Sequence, residues 1–256
     1  MLSAKTVEIK SAKELALMRR AGAIVAQTLQ VLSSSLRAGM TTLELDQIAM
    51  RELAARKAKP AFLGYHGFPA CLCVSLNKEV VHGIPSAARK VADGDLVSLD
   101  FGCVVDGFYS DAAVTLAVGR VPQSSRKLVE VTRESLGKGI EAMRPGNRLG
   151  DVSSAVQACV EANGYSVVRD FVGHGIGRAL HEDPPVPNYG KAGTGLRLQP
   201  GLVLAIEPMV NAGAAEVDVL EDGWTAVTRD GSLSAHFEHT VVVTEDGPEI
   251  LTVANG

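Results

Sequence analysis

"LVSLDFGCVVDGFYSDAAVTL", residues 96–116, reads as an apolar strand, a turn and a second apolar strand, with acids at Asp100 and Asp111 inside runs that otherwise look buried. Asp106-Gly107, flanked by Val105 and Phe108, is the strongest short-range signal for a two-residue hairpin turn. Folding about it sets Val105 opposite Phe108, Gly102 opposite Asp111 and Asp100 opposite Ala113. Both acids then share one face as diagonal neighbours, with Cβ atoms about 7 Å apart or somewhat less. Gly102 and Ala113 leave room beside them. Two desolvated carboxylates this close repel unless something cationic stands between them, and a metal ion is the natural candidate. Taken alone, such a pair reads more readily as a turn or edge feature facing water.

Other segments change that balance. "LAIEPMV" puts Glu207 in an apolar strand just before Pro208, and "AHFEHTVVV" puts Glu238 at the head of a third, with His239 beside it. "FVGHGIGRALHEDP" holds His174 among glycines and His181 seven residues later. A lone histidine is ordinarily a satisfied core residue. Four acids in strand contexts plus a glycine-flanked imidazole are hard to explain as packing. An oxygen-rich donor set with one imidazole and no thiolate suits Mn, Fe or Co, with Zn also compatible.

The chain has 256 residues, 46% hydrophobic and 21% charged, with net charge −4, so no global charge advertises nucleic acid or an anionic membrane. The opening "MLSAKTVEIK" lacks an apolar core of signal-peptide length, and no run of the roughly 18 apolar residues needed to span a membrane occurs. Cys71, Cys73, Cys103 and Cys159 fit neither zinc-type pairing nor a disulfide scaffold, which points to a reducing, cytoplasmic compartment.

Two capping boxes, Ser11 with Glu14 and Thr41 with Glu44, open helices; the second is expected to run to about Ala58 and to be ended by Pro60. Strands follow near "CLCVSLN" and "EVVHGI", then the opening hairpin. Pro122 starts a helix to about Met143, and "RLGDVSSAVQACVEANG" gives another, closed by Gly164. Strand and loop make up the rest, with no low-complexity linker. The halves resemble each other at a constant offset of 107: Arg37 with Arg144, Gly39 with Gly146, Gly94 with Gly201, Asp100 with Glu207. A sustained offset over separate segments indicates internal duplication with pseudo-twofold symmetry. The expected organisation is a short segment 1–10 and one domain 11–256, with pseudo-repeat halves at about 11–120 and 121–256.

"GYHGFPACLCVSLNKEVVHGIP", "DLVSLDFGCVVDGFYSDAA", "FVGHGIGRALHEDPPVPNYG", "GLVLAIEPM" and "WTAVTRDGSLSAHFEHTVVVT" together resemble type I methionine aminopeptidases, in family order and over nearly the whole chain from Ser11. The resemblance implies an α/β fold of the α+β type, the pita-bread fold, with two pseudo-symmetric halves around a central antiparallel sheet and flanking helices. It implies two divalent ions held by Asp100, Asp111, His174, Glu207 and Glu238, with Asp111 and Glu238 bridging both. Glu207 would shuttle the proton, His181 would hydrogen-bond the substrate carbonyl, and His82 would contact the scissile amide nitrogen. Phe62, Tyr65, His66, Phe68, Cys73, Leu180 and Trp224 would line the substrate pocket together with His82 and His181. Such a pocket suits an unbranched thioether. Asn77 and Ser234 sit where the family can hold a monovalent cation.

The implied activity is removal of the initiator methionine from nascent chains whose second residue is small, by a monomer in transient contact with the ribosome. Two features depart from the family: His236 stands where glutamine is common, and Ser98 where asparagine is. An aminopeptidase P or prolidase of the same fold would carry an additional N-terminal domain. A catalytically inactive peptide-binding homologue would lack ligands, whereas all five are present here.

Overall fold

The Asp106-Gly107 turn forms as the sequence requires: φ is 50° at Asp106 and 84° at Gly107, both positive, as the tight hairpin turn with native twist demands. The computed structural model describes residues 7–254; the first six positions of the expected N-terminal segment lie outside the described residues. The elements run α1 (Ala12–Ser35), α2 (Thr42–Arg56), β1 (Lys59–Pro60), β2 (Leu72–Leu76), β3 (Glu79–Val81), β4 (Leu96–Val105) and β5 (Phe108–Ala117). Then come α3 (Gln123–Ala142), α4 (Leu149–Ala162), β6 (Ser166–Val167), β7 (Gly173–Gly175), β8 (Glu182–Val186), β9 (Val203–Ile206) and β10 (Met209–Asn211). β11 (Val217–Val219), β12 (Ala226–Thr228), β13 (Ser234–His236), β14 (His239–Thr244) and β15 (Gly247–Ile250) complete the chain.

Every ladder among the described strands is antiparallel. β4 pairs with β5 in the expected register, Gly102 opposite Asp111 and Asp100 opposite Ala113, and β2 and β1 pair with β4. The second large sheet has the order β15-β14-β9-β7-β8. The two meet at the backbone: the Glu238 N–H donates to the Ala113 carbonyl at 2.9 Å. α1 and α2 bury Val25, Leu32, Leu45 and Leu53 with Leu72, Leu99 and Phe101 of the first sheet. From α3 come Leu136 and Ile140, and from α4 Val152, packed with Leu204, Ile206 and Val241 of the second. Helices thus cover one side, and the opposite side of both sheets is left to form a cleft.

Both capping boxes are present, at Ser11/Glu14 and Thr41/Glu44. α2 stops earlier than expected, at Arg56, because Lys57 turns left-handed at φ 56°. Pro60 belongs instead to β1, paired with Cys103 at the edge of β4, where its missing N–H costs least. The offset of 107 recurs as backbone geometry. Isolated bridges join Thr41 to Lys90 and Arg148 to Arg197. The N–H of Gly39 donates to Val91 and that of Gly146 to Leu198, at 2.8 and 3.0 Å.

Candidate metal centre

Asp111 sits in β5 with 3% of its surface exposed, and Asp100 lies on the same face of the hairpin. Glu207 falls between β9 and β10, and Glu238 between β13 and β14. The two breaks coincide. Ile206 pairs with His239 and Met209 with His236, so the register between them sets Glu207 against Glu238 and Pro208 against Phe237. Pro208 supplies no N–H there, but its carbonyl accepts from Phe237 at 3.3 Å. Like charges directly opposite across a strand pair repel, a defect that a shared cation converts into a site. His174 enters from β7, paired with Ala205 of β9.

These side chains converge. Ligand atoms of Asp111, His174 and Glu238 all lie within 4.8 Å of one another. His174 Nε2 is 3.6 Å from Asp111 Oδ2 and 3.5 Å from Glu207 Oε1. His174 Nδ1 lies 2.9 Å from the Gly175 carbonyl, so its proton is donated there and Nε2 turns a lone pair toward the carboxylates. Burial holds that imidazole neutral, pushing its pKa down to about 4. A lone pair facing carboxylate oxygens is repulsive until a proton or metal enters.

The electrostatics agree. Burial pushes Asp111 up to about 7. Asp100, Glu207 and Glu238 are raised well above the carboxylate range, by burial first and then by the charge of Asp111. Asp100 Oδ1 is buried with no hydrogen-bond partner. Buried acids without a cation among them, one orphaned oxygen and a lone pair aimed inward are what a divalent ion would satisfy, so the residues fit the group. His236, 1% exposed, places Nε2 at 3.7 Å from Glu207 Oε2, on the oxygen that His174 does not face.

Beside the acids lies a cleft of about 140 Å³, lined by all five acid and imidazole groups of the expected ligand set. Phe62, Tyr65, Phe68, Cys73, Leu180 and Trp224 supply its apolar wall, with His82 and His181 facing in. Phe68 meets Trp224 edge-on at 5.1 Å between ring centres. Cys73 is kept a neutral thiol, its pKa raised by burial and then by Asp100 and Glu238. His82 adopts φ 61° and its ring packs edge-on against Phe171 at 5.5 Å. His66 is the expected pocket residue that does not line the cleft; its ring leans on Tyr65 at 4.4 Å. Asn77 and Ser234 do come together, the Ser234 N–H donating to the Asn77 carbonyl at 2.9 Å. The Asn77 amide is already engaged with Asp95 and Leu96.

Two contacts were not anticipated. Tyr65 Oη lies 2.7 Å from His181 Nδ1. If the phenol donates there, the imidazole must carry its proton on Nε2, toward the cleft. Thr240 Oγ1 accepts from the Asp111 N–H at 3.1 Å and lies 3.2 Å from Asp111 Oδ1. Strand parity was the available signal for Thr240, which stands two residues after Glu238. Nothing local marks Tyr65 as the partner of a histidine 116 residues away.

An antiparallel α/β shell with a buried acid–imidazole centre defines a metallopeptidase, and the chain belongs to metallopeptidase family M24, whose model matches residues 16–245. It is 53% identical over 245 residues, 96% of this chain and 98% of the relative, to a methionine aminopeptidase of Clostridium perfringens. Among solved structures, a methionine aminopeptidase from Thermotoga maritima superposes with a TM-score of 0.96 at 49% identity, covering 97% of this chain and all of that one. A prolidase from Pyrococcus horikoshii shares the fold at a TM-score of 0.76 but only 23% identity, and the match covers 64% of its length.

Proposed function

We propose that the protein is a methionyl aminopeptidase that removes the initiator methionine from the N-terminus of newly made chains, preferring a small second residue. The convergence of Asp111, His174 and Glu238 beside an apolar cleft carries this reading, supported by relatives of about half-identical sequence that bear that name. Asp100, Asp111, His174, Glu207 and Glu238 are the residues that would hold two divalent ions. When bound, such ions supply Lewis acidity toward the scissile carbonyl and acidify water at neutral pH.

The remaining chemistry belongs to the side chains. Glu207, whose carboxylate burial makes more basic than an ordinary one, is suited when ionised to take a proton from water and return it to the leaving amine. His181 is held neutral, its pKa lowered to about 4 by burial and by His174, so it can donate from Nε2 to a developing oxyanion without carrying charge. His82 faces the same cleft, where it would meet the amide nitrogen. The aromatic wall and the Cys73 thiol exclude water and match a flexible thioether.

Action on nascent chains by a cytoplasmic monomer in transient ribosome contact completes the proposal. Among the described residues no helix is long and apolar enough to cross a membrane. The related prolidase shares the fold alone and does not favour cleavage beside proline here. Metal-reconstituted enzyme should cleave Met-Ala-Ser, cleave Met-Leu-Ser far more slowly and leave Ala-Pro-Ala intact. Preference for Ala-Pro-Ala, or full activity after exhaustive chelation, would overturn the assignment. Glu207→Gln should bind peptide yet lose turnover, and near-native turnover would remove it as the proton carrier.

A further inference from the structure

The described residues ahead of α1 are stitched into the site's outer wall. Ile9 bridges to Leu202, and the Lys10 N–H donates to the Gly201 carbonyl at 2.8 Å. This turns the Lys10 side chain inward, where the residue is only 5% exposed. Its ammonium lies 2.6 Å from Glu182 Oε2 and 3.1 Å from Glu8 Oε2. The other oxygen of Glu182, Oε1, accepts the N–H groups of Arg178 and Ala179 at 2.6 and 3.1 Å. One carboxylate therefore closes the turn 177–182, and one buried cation holds that carboxylate. The turn is built around the lysine: a Cβ on Gly177 would stand 2.2 Å from Lys10 Cε. From this turn Leu180 and His181 project into the cleft.

A buried ammonium is a costly way to fill space, because desolvation consumes much of the ion-pair attraction. A methionine would fill the same slot but leave the Glu182 carboxylate without its cation. What the charge adds is direction: an ion pair bonded on its far side to two peptide N–H groups fixes where the turn sits. We propose that Lys10 is a positioning residue for His181, acting through Glu182 and the turn 177–182. The proposal rests on the reading of His181 as the donor to the substrate carbonyl, and a displacement of about 1 Å at such a donor costs on the order of a hundredfold in rate.

The test compares wild type, K10M, H181A and K10M/H181A as metal-loaded enzymes, with Mn2+ titration calorimetry, thermal melting and the imidazole 15N signals of His181 in metal-free protein. K10M should fold and bind Mn2+ within about twofold of wild type, since β7 pairing holds His174. Its kcat should fall about 10- to 100-fold with KM within about threefold, its His181 signals should shift, and the loss should vanish in the H181A background. Unchanged kcat in folded K10M, a loss that adds fully to that of H181A, or a loss matched by weaker Mn2+ binding would overturn it. If H181A itself keeps wild-type kcat, the oxyanion role fails, while an unshifted His181 signal in K10M separately rejects the positioning link. Should K10M not fold, E182Q reads the same link from the other partner, keeping Oε1 as an acceptor and removing the charge that Lys10 meets.

Discussion

Thr240→Val tests whether the metal site depends on a hydroxyl that substitutes for a missing strand partner. Ala113 directs its N–H at the Glu238 carbonyl, and Asp111, two residues earlier, directs its own at Thr240 Oγ1, 3.1 Å away. That hydroxyl also lies 2.8 Å from the Asp111 carbonyl and 3.1 Å from Ser110 Oγ. Valine keeps the volume and removes the hydroxyl that accepts from this buried N–H. An orphaned buried donor costs about 1–3 kcal/mol. At about 2–4 °C per kcal/mol for a chain of this size, metal-free melting should fall by about 4–8 °C for a loss of about 2 kcal/mol. Because Asp111 is then free to rotate, divalent-metal affinity should drop about 10- to 100-fold, the usual cost of losing a group that orients a ligand. Thr240→Ser, which keeps the hydroxyl, should lose much less metal affinity. Melting curves with chelator and titration calorimetry with Mn2+ decide the matter. A valine variant that melts with wild type and binds metal within twofold would refute the reasoning.

Three further outcomes follow from the same geometry. The folded pKa of Asp111 is raised from 3.8 to about 7, and Asp100, Glu207 and Glu238 are raised well above their usual values, so the stability they contribute is present at low pH and lost as pH rises. The buried histidines oppose this only below about 6.5, since His82, His174 and His181 are lowered to about 4. Metal-free protein should therefore melt lower at pH 8 than at pH 6.5, and added Mn2+ should raise the melting point more at pH 8; a flat metal-free profile over that window would contradict the buried-acid picture. Tyr65→Phe should release the Nε2–H tautomer of His181, seen as a change in its 15N shifts with kcat reduced up to about tenfold, the worth of one hydrogen bond; unchanged shifts would show that the phenol does not set the tautomer. Gly102→Ala would place a Cβ 3.0 Å from both Ala61 Cβ and Phe62 Cε1 and 3.2 Å from Asp111 Cβ, so it should cost about 1–3 kcal/mol and weaken metal binding; a variant matching wild type on both counts would mean the sheet yields freely there.

The sequence by itself determined whatever depends on neighbours along the chain. Asp106-Gly107 set the hairpin, and strand parity then fixed Asp100 and Asp111 on one face before any coordinates, because side chains alternate and a two-residue turn leaves no slack in register. Capping boxes located the starts of α1 and α2, and the offset of 107 exposed a duplication that returns as matched bridges at Thr41–Lys90 and Arg148–Arg197. Only tertiary structure decided what long loops bring together. Glu207 faces Glu238 because β9 and β10 run against β14 and β13, a pairing no local signal specifies. The same holds for Tyr65 beside His181 and for Lys10 beside Glu182, residues 116 and 172 positions apart. The end of α2 at Lys57 rather than at Pro60 was likewise settled by the fold, which drew Pro60 onto β4. Local chemistry fixes dihedrals and faces; which faces meet depends on closing loops far longer than a turn, whose entropic cost is repaid only by the assembled core.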